Sequence, residues 1–134
     1  MTESVCAVLL HDDEPPVSFL AGILERQGIT SRRARTCREL AEIFSRTPGR
    51  YVVFTDVDLP DGNWTDVLDL AGGLPGPVPV VVVARLVDIR FYVEVIERGA
   101  FDFIAPPFAD GDISHVFRCA TSALGRAQVR AGAA

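Results

Sequence analysis

Asp56 closes an apolar run, Tyr-Val-Val-Phe-Thr-Asp-Val-Asp-Leu-Pro over 51–60, and Asp12 and Asp13 follow another, Val5 to Leu10. A carboxylate presented at the end of such a run can act as a nucleophile that accepts a phosphoryl group. Grouped carboxylates raise one another's pKa or recruit a hard cation, and magnesium suits one or two carboxylates plus phosphate oxygens. A second reading of Asp12, Asp13 and Asp61 is helix N-capping, because each precedes a helical pattern. The 134 residues contain no lysine, so no ammonium group is on hand to hold a phosphate.

The elements around these acids alternate. Val5–Leu10 is too short for a helix, and Val17, Leu20, Ile23 and Leu24 then recur at helical spacing until Gly28. A second strand is expected over Ile29–Ala34, then a helix through Leu40, Ile43 and Phe44. A buried strand over Tyr51–Thr55 leads to a helix through Trp64, Val67, Leu68, Leu70 and Ala71. Val78–Val83 is almost wholly β-branched, as a central parallel strand covered on both faces requires. Ile89, Tyr92, Val93 and Ile96 recur at helical spacing up to Gly99 and give a fourth helix. Phe101–Ile104 makes a last strand, and Ile113, Val116, Phe117, Ala120 and Leu124 a fifth helix. Parallel neighbours need crossover helices, so the pattern predicts a doubly wound five-stranded parallel sheet with helices on both faces. Ligands of such sheets bind beyond the carboxyl ends of the strands, where Asp12, Asp13 and Asp56 are expected to converge.

Length fits one domain over 1–126 with a tail over 127–134, and a chain of this size buries roughly two thirds of its unfolded surface. Cys6, Cys37 and Cys119 lack metal-ligand spacing and fit a reducing compartment, with Cys6 and Cys119 read as core residues. No apolar stretch reaches a membrane span, and a cytoplasmic location is expected. A net charge of −5 argues against direct nucleic-acid binding. The basic cluster Arg32, Arg33, Arg35 and Arg38 reads as a solvated edge.

Three motifs together resemble the receiver domain of bacterial two-component response regulators, over about residues 4–126. Leu-Leu-His-Asp-Asp-Glu-Pro-Pro is similar to that family's first-strand acidic pair. Asp56-Val57-Asp58-Leu59-Pro60-Asp61-Gly62 resembles its phosphoacceptor turn, and Gly99-Ala100-Phe101-Asp102-Phe103 the entry to its fifth strand. The resemblance implies a flavodoxin-like fold and transfer of a phosphoryl group from a histidine kinase to Asp56, with Asp12, Asp13 and Asp56 holding magnesium. It also implies a Ser or Thr hydroxyl and a lysine gripping the phosphoryl oxygens. Aligning Gly99-Ala100 and Pro107-Phe108 places Ala84 at the hydroxyl position and Pro106 at the lysine position. Phe103 falls at the switch aromatic position and reads as a core or interface residue.

A charge-assisted hydrogen bond contributes roughly 1.5–3 kcal/mol and a neutral one about 1 kcal/mol. Inactive and active states of a two-state switch differ by only a few kcal/mol, so the two replacements are as large as the gap. Arg85 is either a substitute cation or a solvent-facing side chain. Asp58 adds a carboxylate that repels phosphate and strengthens metal affinity. His11, beside two acids, is expected to favour its protonated form. Proline at 106 and 107 restricts the loop after the fifth strand, and the resemblance implies a cis bond between them.

The expectation is therefore an atypical receiver, a protein-interaction module rather than an enzyme, with little or no phosphorylation at Asp56. Its partner would be another protein or a histidine kinase, and a homodimer would use the fourth helix, fifth strand and fifth helix. The alternative is a conventional phosphoacceptor. Asp56-x-Asp58 also resembles the first motif of haloacid-dehalogenase-type phosphohydrolases, but it lies on the third strand and lacks the later lysine. FMN binding is disfavoured because the loop after the first strand is acidic where a phosphate cradle needs Gly, Ser or Thr.

Overall fold

The computed structural model describes residues 5–13 and 15–133, with side chains as far as residue 124. Five strands form one parallel sheet: β1 (Val5–Leu10), β2 (Ser31–Ala34), β3 (Arg50–Asp56), β4 (Val80–Val83) and β5 (Asp102–Ile104), in the spatial order β2-β1-β3-β4-β5. The helices are α1 (Val17–Arg26), α2 (Cys37–Arg46), α3 (Trp64–Gly72), α4 (Ile89–Glu97) and α5 (Asp110–Ala133). This is the flavodoxin-like arrangement expected from the sequence. The backbone of α5 continues as helix through most of the segment set apart as a tail. The side chains of that segment and the whole of Glu14 lie outside the described residues.

Strand alternation builds two cores. Ala7, Leu9, Val52, Phe54, Val81 and Val83 face α1 and α5, whereas Val8, Leu10, Tyr51, Val53 and Val80 face α2 and α3. The register sets Leu10 opposite Thr55 and Asp56 opposite Val83, so β1, β3 and β4 end at one edge. The reversal of strand order falls between β1 and β3, which is where a doubly wound sheet opens a crevice.

A third cluster holds Trp64, Val82, Ala84, Val95, Ala100 and Phe103. The residues whose spacing announces α4 lie on its outer side. Its one buried residue is Val95, while Ile89, Tyr92, Val93 and Ile96 are exposed. The helix carries two apolar stripes, and the sheet takes the one made by Phe91 and Val95, four residues apart. Phe91 meets Trp64 and Phe103 edge to face, each at 5.7 Å, and anchors that stripe. The cysteine reading is corrected: Cys37 is buried, whereas Cys6 and Cys119 are half-buried. Cys6 precedes the pairing of β1 with β2, which begins at Ala7, so that side of the strand is left open.

Candidate functional site

Asp56 is the last residue of β3 and is buried, 8% exposed, with its Oδ1 accepting the Val57 N–H at 2.7 Å. The chain then makes a miniature hairpin in which Asp58 pairs with Asn63 and Leu59 with Gly62 around Pro60-Asp61. Proline's fixed φ suits the first corner of such a turn. A Cβ at Gly62 would lie 2.5 Å from Asp66 Oδ2 and would have to push that carboxylate aside. That carboxylate accepts the Asn63 N–H and completes a capping box that starts α3.

Asp12, Asp56, Val57, Asp58, Leu59, Pro60 and Arg85 line a cleft of about 520 Å³ at this edge. The structure thus brings Asp12, Asp56, Asp58 and Arg85 to one opening. Asp13 is not among the lining residues. It adopts φ 63°, and its N–H donates to His11 Nδ1 at 3.1 Å. Its carboxylate is turned to β2, where Arg33 Nη2 pairs with Oδ1 and Arg35 Nη2 lies 3.6 Å from Oδ2. Arg35 also donates through Nε and Nη2 to Asp12 Oδ1 at 3.2 and 3.0 Å. The hydrogen bond from Arg33 holds the Asp13 carboxyl below its usual pKa, and the bond to Asp12 raises that of Arg35. Arg32, Arg33, Arg35 and Arg38 are all exposed, as a solvated edge expects, and what the sequence reading did not give is the pairing of Arg33 and Arg35 with the two acids. Their spacing of two residues, at and just beyond the end of β2, was the available signal.

The magnesium donor set implied by the sequence resemblance is not assembled. Among the described residues, no three His, Cys, Asp or Glu side chains gather closely enough to hold a metal ion. Asp12 is already engaged by a guanidinium and Asp13 is directed away from the cleft.

His11 corrects a second expectation. It is 4% exposed, and burial first, then Arg33, push its pKa down, outweighing the nearby acids. Asp61 caps a helix, but not the one it precedes. Its two oxygens accept the N–H groups of Cys37 and Arg38 at 2.8 and 3.1 Å, tying the hairpin to the start of α2. Asn63 caps α3 instead.

Ala84 follows β4 with its N–H bonded to the Ile104 carbonyl at 2.9 Å. Its methyl group is buried in the aromatic cluster with Phe103, which is itself buried. Pro106 is exposed and lies on a separate cleft of about 280 Å³ with Pro15, Pro16, Phe19 and Arg85. The Pro106-Pro107 bond is cis as expected, and so is Pro15-Pro16.

No family model matches the chain. It is 40% identical over 105 residues to the nitrogen assimilation regulatory protein NtrX of Azorhizobium caulinodans, an alignment covering 75% of this chain and 23% of that protein. It is 31% identical over 100 residues to the response regulator protein PilR of Pseudomonas aeruginosa, covering 74% and 22%. The chain thus spans about a quarter of the length of these relatives. The crystal structure of FixJ-N superimposes with a TM-score of 0.75 at 25% identity, covering 91% of this chain and 96% of that one. No helix among the described residues is long and apolar enough to cross a membrane. With an aspartate ending the middle strand, the same sheet order and response regulators among its relatives, the chain belongs to the receiver-domain family of bacterial two-component systems.

Proposed function

We propose that this chain is an atypical receiver: a cytoplasmic signalling module that works through protein contacts, with weak or absent phosphorylation at Asp56. The observation that carries this reading is the side chain at position 84, a buried methyl packed among aromatics where the family places a hydroxyl. Pro106 at the lysine position and the lack of any lysine support it further. A phosphoryl group on Asp56 would lack both groups that couple it to the β4 and β5 loops.

The proposed contact surface is the face of α4, β5 and α5, for a protein partner or a second copy of the chain. Its support is the outer stripe of α4, where Ile89 is 76% and Tyr92 44% exposed. Scattered apolar residues on a surface are ordinary, whereas several on one helix face mark a contact site. No direct nucleic-acid contact is proposed.

A second reading has one observation in its favour. Arg85 lines the same cleft as Asp56 and could serve there as the cation that lysine supplies elsewhere, making the chain a conventional phosphoacceptor for a histidine kinase. Incubation with acetyl phosphate, followed by intact mass with and without magnesium, separates the two. The atypical reading expects little stable phospho-Asp56. Stoichiometric, long-lived modification that disappears in Arg85→Ala establishes the conventional one.

A further inference from the structure

We propose that Arg33 and Arg35 are a built-in counter-ion pair that competes with divalent metal at the acidic end of β1, so that a cation binds this edge only by displacing them. The inference rests on reading this edge as the receiver's acidic site.

Placement comes first. β2 runs parallel to β1 with Arg33 opposite Leu9 and Ala34 opposite Leu10. Alternation along an extended segment puts Arg33 and Arg35 on the side away from buried Ala34, level with the turn that follows Leu10. Engagement comes second. Arg35 bonds Asp12 through two nitrogens and also approaches Asp13, while Arg33 pairs with Asp13. The third observation is the backbone. Asp13 sits at φ 63°, and its N–H bond to buried His11 fixes the turn that directs its carboxylate to β2. Two fixed positive charges beside the two acids both occupy lone pairs and repel an incoming cation. Because these pairs are solvent-exposed, the competition is modest, amounting to about tenfold in metal affinity.

The test titrates isotope-labelled protein with Mn²⁺ and follows paramagnetic broadening of backbone amides, with no phosphodonor present, so the outcome of phosphorylation does not enter. The double variant Arg33→Gln/Arg35→Gln is expected to bind Mn²⁺ about tenfold more tightly than the parent, with broadening centred on Asp12 and Asp56. Adding Asp12→Asn should abolish the gain. Arg32→Gln/Arg38→Gln removes the same formal charge from the same region without touching these pairs, and should leave affinity near that of the parent. The amide spectrum itself reports folding, and Arg35→Gln alone gives the same comparison if the double variant is perturbed. The proposal is overturned if parent and double variant bind alike, if neither binds, if the gain survives Asp12→Asn, or if the Arg32/Arg38 control gains as much.

Discussion

Asp61 stands in the same loop as Asp56, yet its carboxylate serves a helix from another part of the chain. Two donors that would otherwise have no helical partner, the N–H groups of Cys37 and Arg38, end on it. Asp61→Ala is expected to lower unfolding free energy by about 1 kcal/mol in urea denaturation, and Asp61→Asn, which keeps one acceptor, by less. Burial opposes ionisation of Asp61, but the two backbone donors outweigh it and hold its pKa below the ordinary value of 3.8. A depressed folded-state pKa means the stabilisation is complete above the unfolded value and lost as pH falls through the folded one. The gap between parent and Asp61→Ala should therefore close below about pH 3.8. A gap that stays constant into acid would show that the charge is not what caps α2. The sequence made Asp61 legible as a capping residue. It could not reveal which helix, because the contact crosses from the hairpin to α2.

At the scale of elements, α4 is the exception to a fold whose other helices lie well seated. It buries one residue, whereas α1 buries Val17, Leu20, Ile23 and Leu24. Val95→Ala should cost about 2 kcal/mol, from lost burial plus the cavity left behind. Ile89→Ser and Val93→Ser should stay within about 0.5 kcal/mol of the parent, since both side chains are exposed. Urea midpoints of the three variants check this. Comparable losses for all three would mean that the outer stripe is covered in solution. A helix held this lightly should also lose amide protection before α1 does in hydrogen exchange. Periodicity announced a helix from Ile89 towards Gly99, which forms over Ile89–Glu97, but could not say which face the sheet takes. Both stripes are apolar, and the burial of Val95 together with the contacts of Phe91 to Trp64 and Phe103 decides between them, although Tyr92 also meets Phe103 edge to face at 5.7 Å.

Across the whole molecule, the order of strands and helices was readable because each strand ends at a turn and each helix carries a periodic face. The convergence of Asp12 and Asp56 followed from topology alone, as both follow strands that end at one edge. The fate of Asp13 did not, because it depends on its own left-handed backbone and on Arg33 of β2 and Arg35 just beyond it. If the missing hydroxyl and ammonium are what disable the acceptor, Ala84→Thr with Pro106→Lys should lengthen phosphate retention on Asp56 more than the two single changes added together. Lifetimes after acetyl phosphate treatment measure this directly. Simple additivity would show that the two groups do not grip one phosphoryl group.

The chain's single tryptophan occupies an informative place. Trp64 donates its backbone N–H to the Val57 carbonyl, beside Asp56, and is itself only 5% exposed, with Phe91 of α4 packed edge to face on its ring and the Arg98 guanidinium 5.9 Å from the ring centroid. One residue therefore touches the acceptor loop through its backbone and α4 through its indole ring. Its emission, read without any label, is a natural optical gauge of whether chemistry at the cleft reaches α4: a receiver that transmits should shift or quench it, and one that does not should leave its colour unchanged.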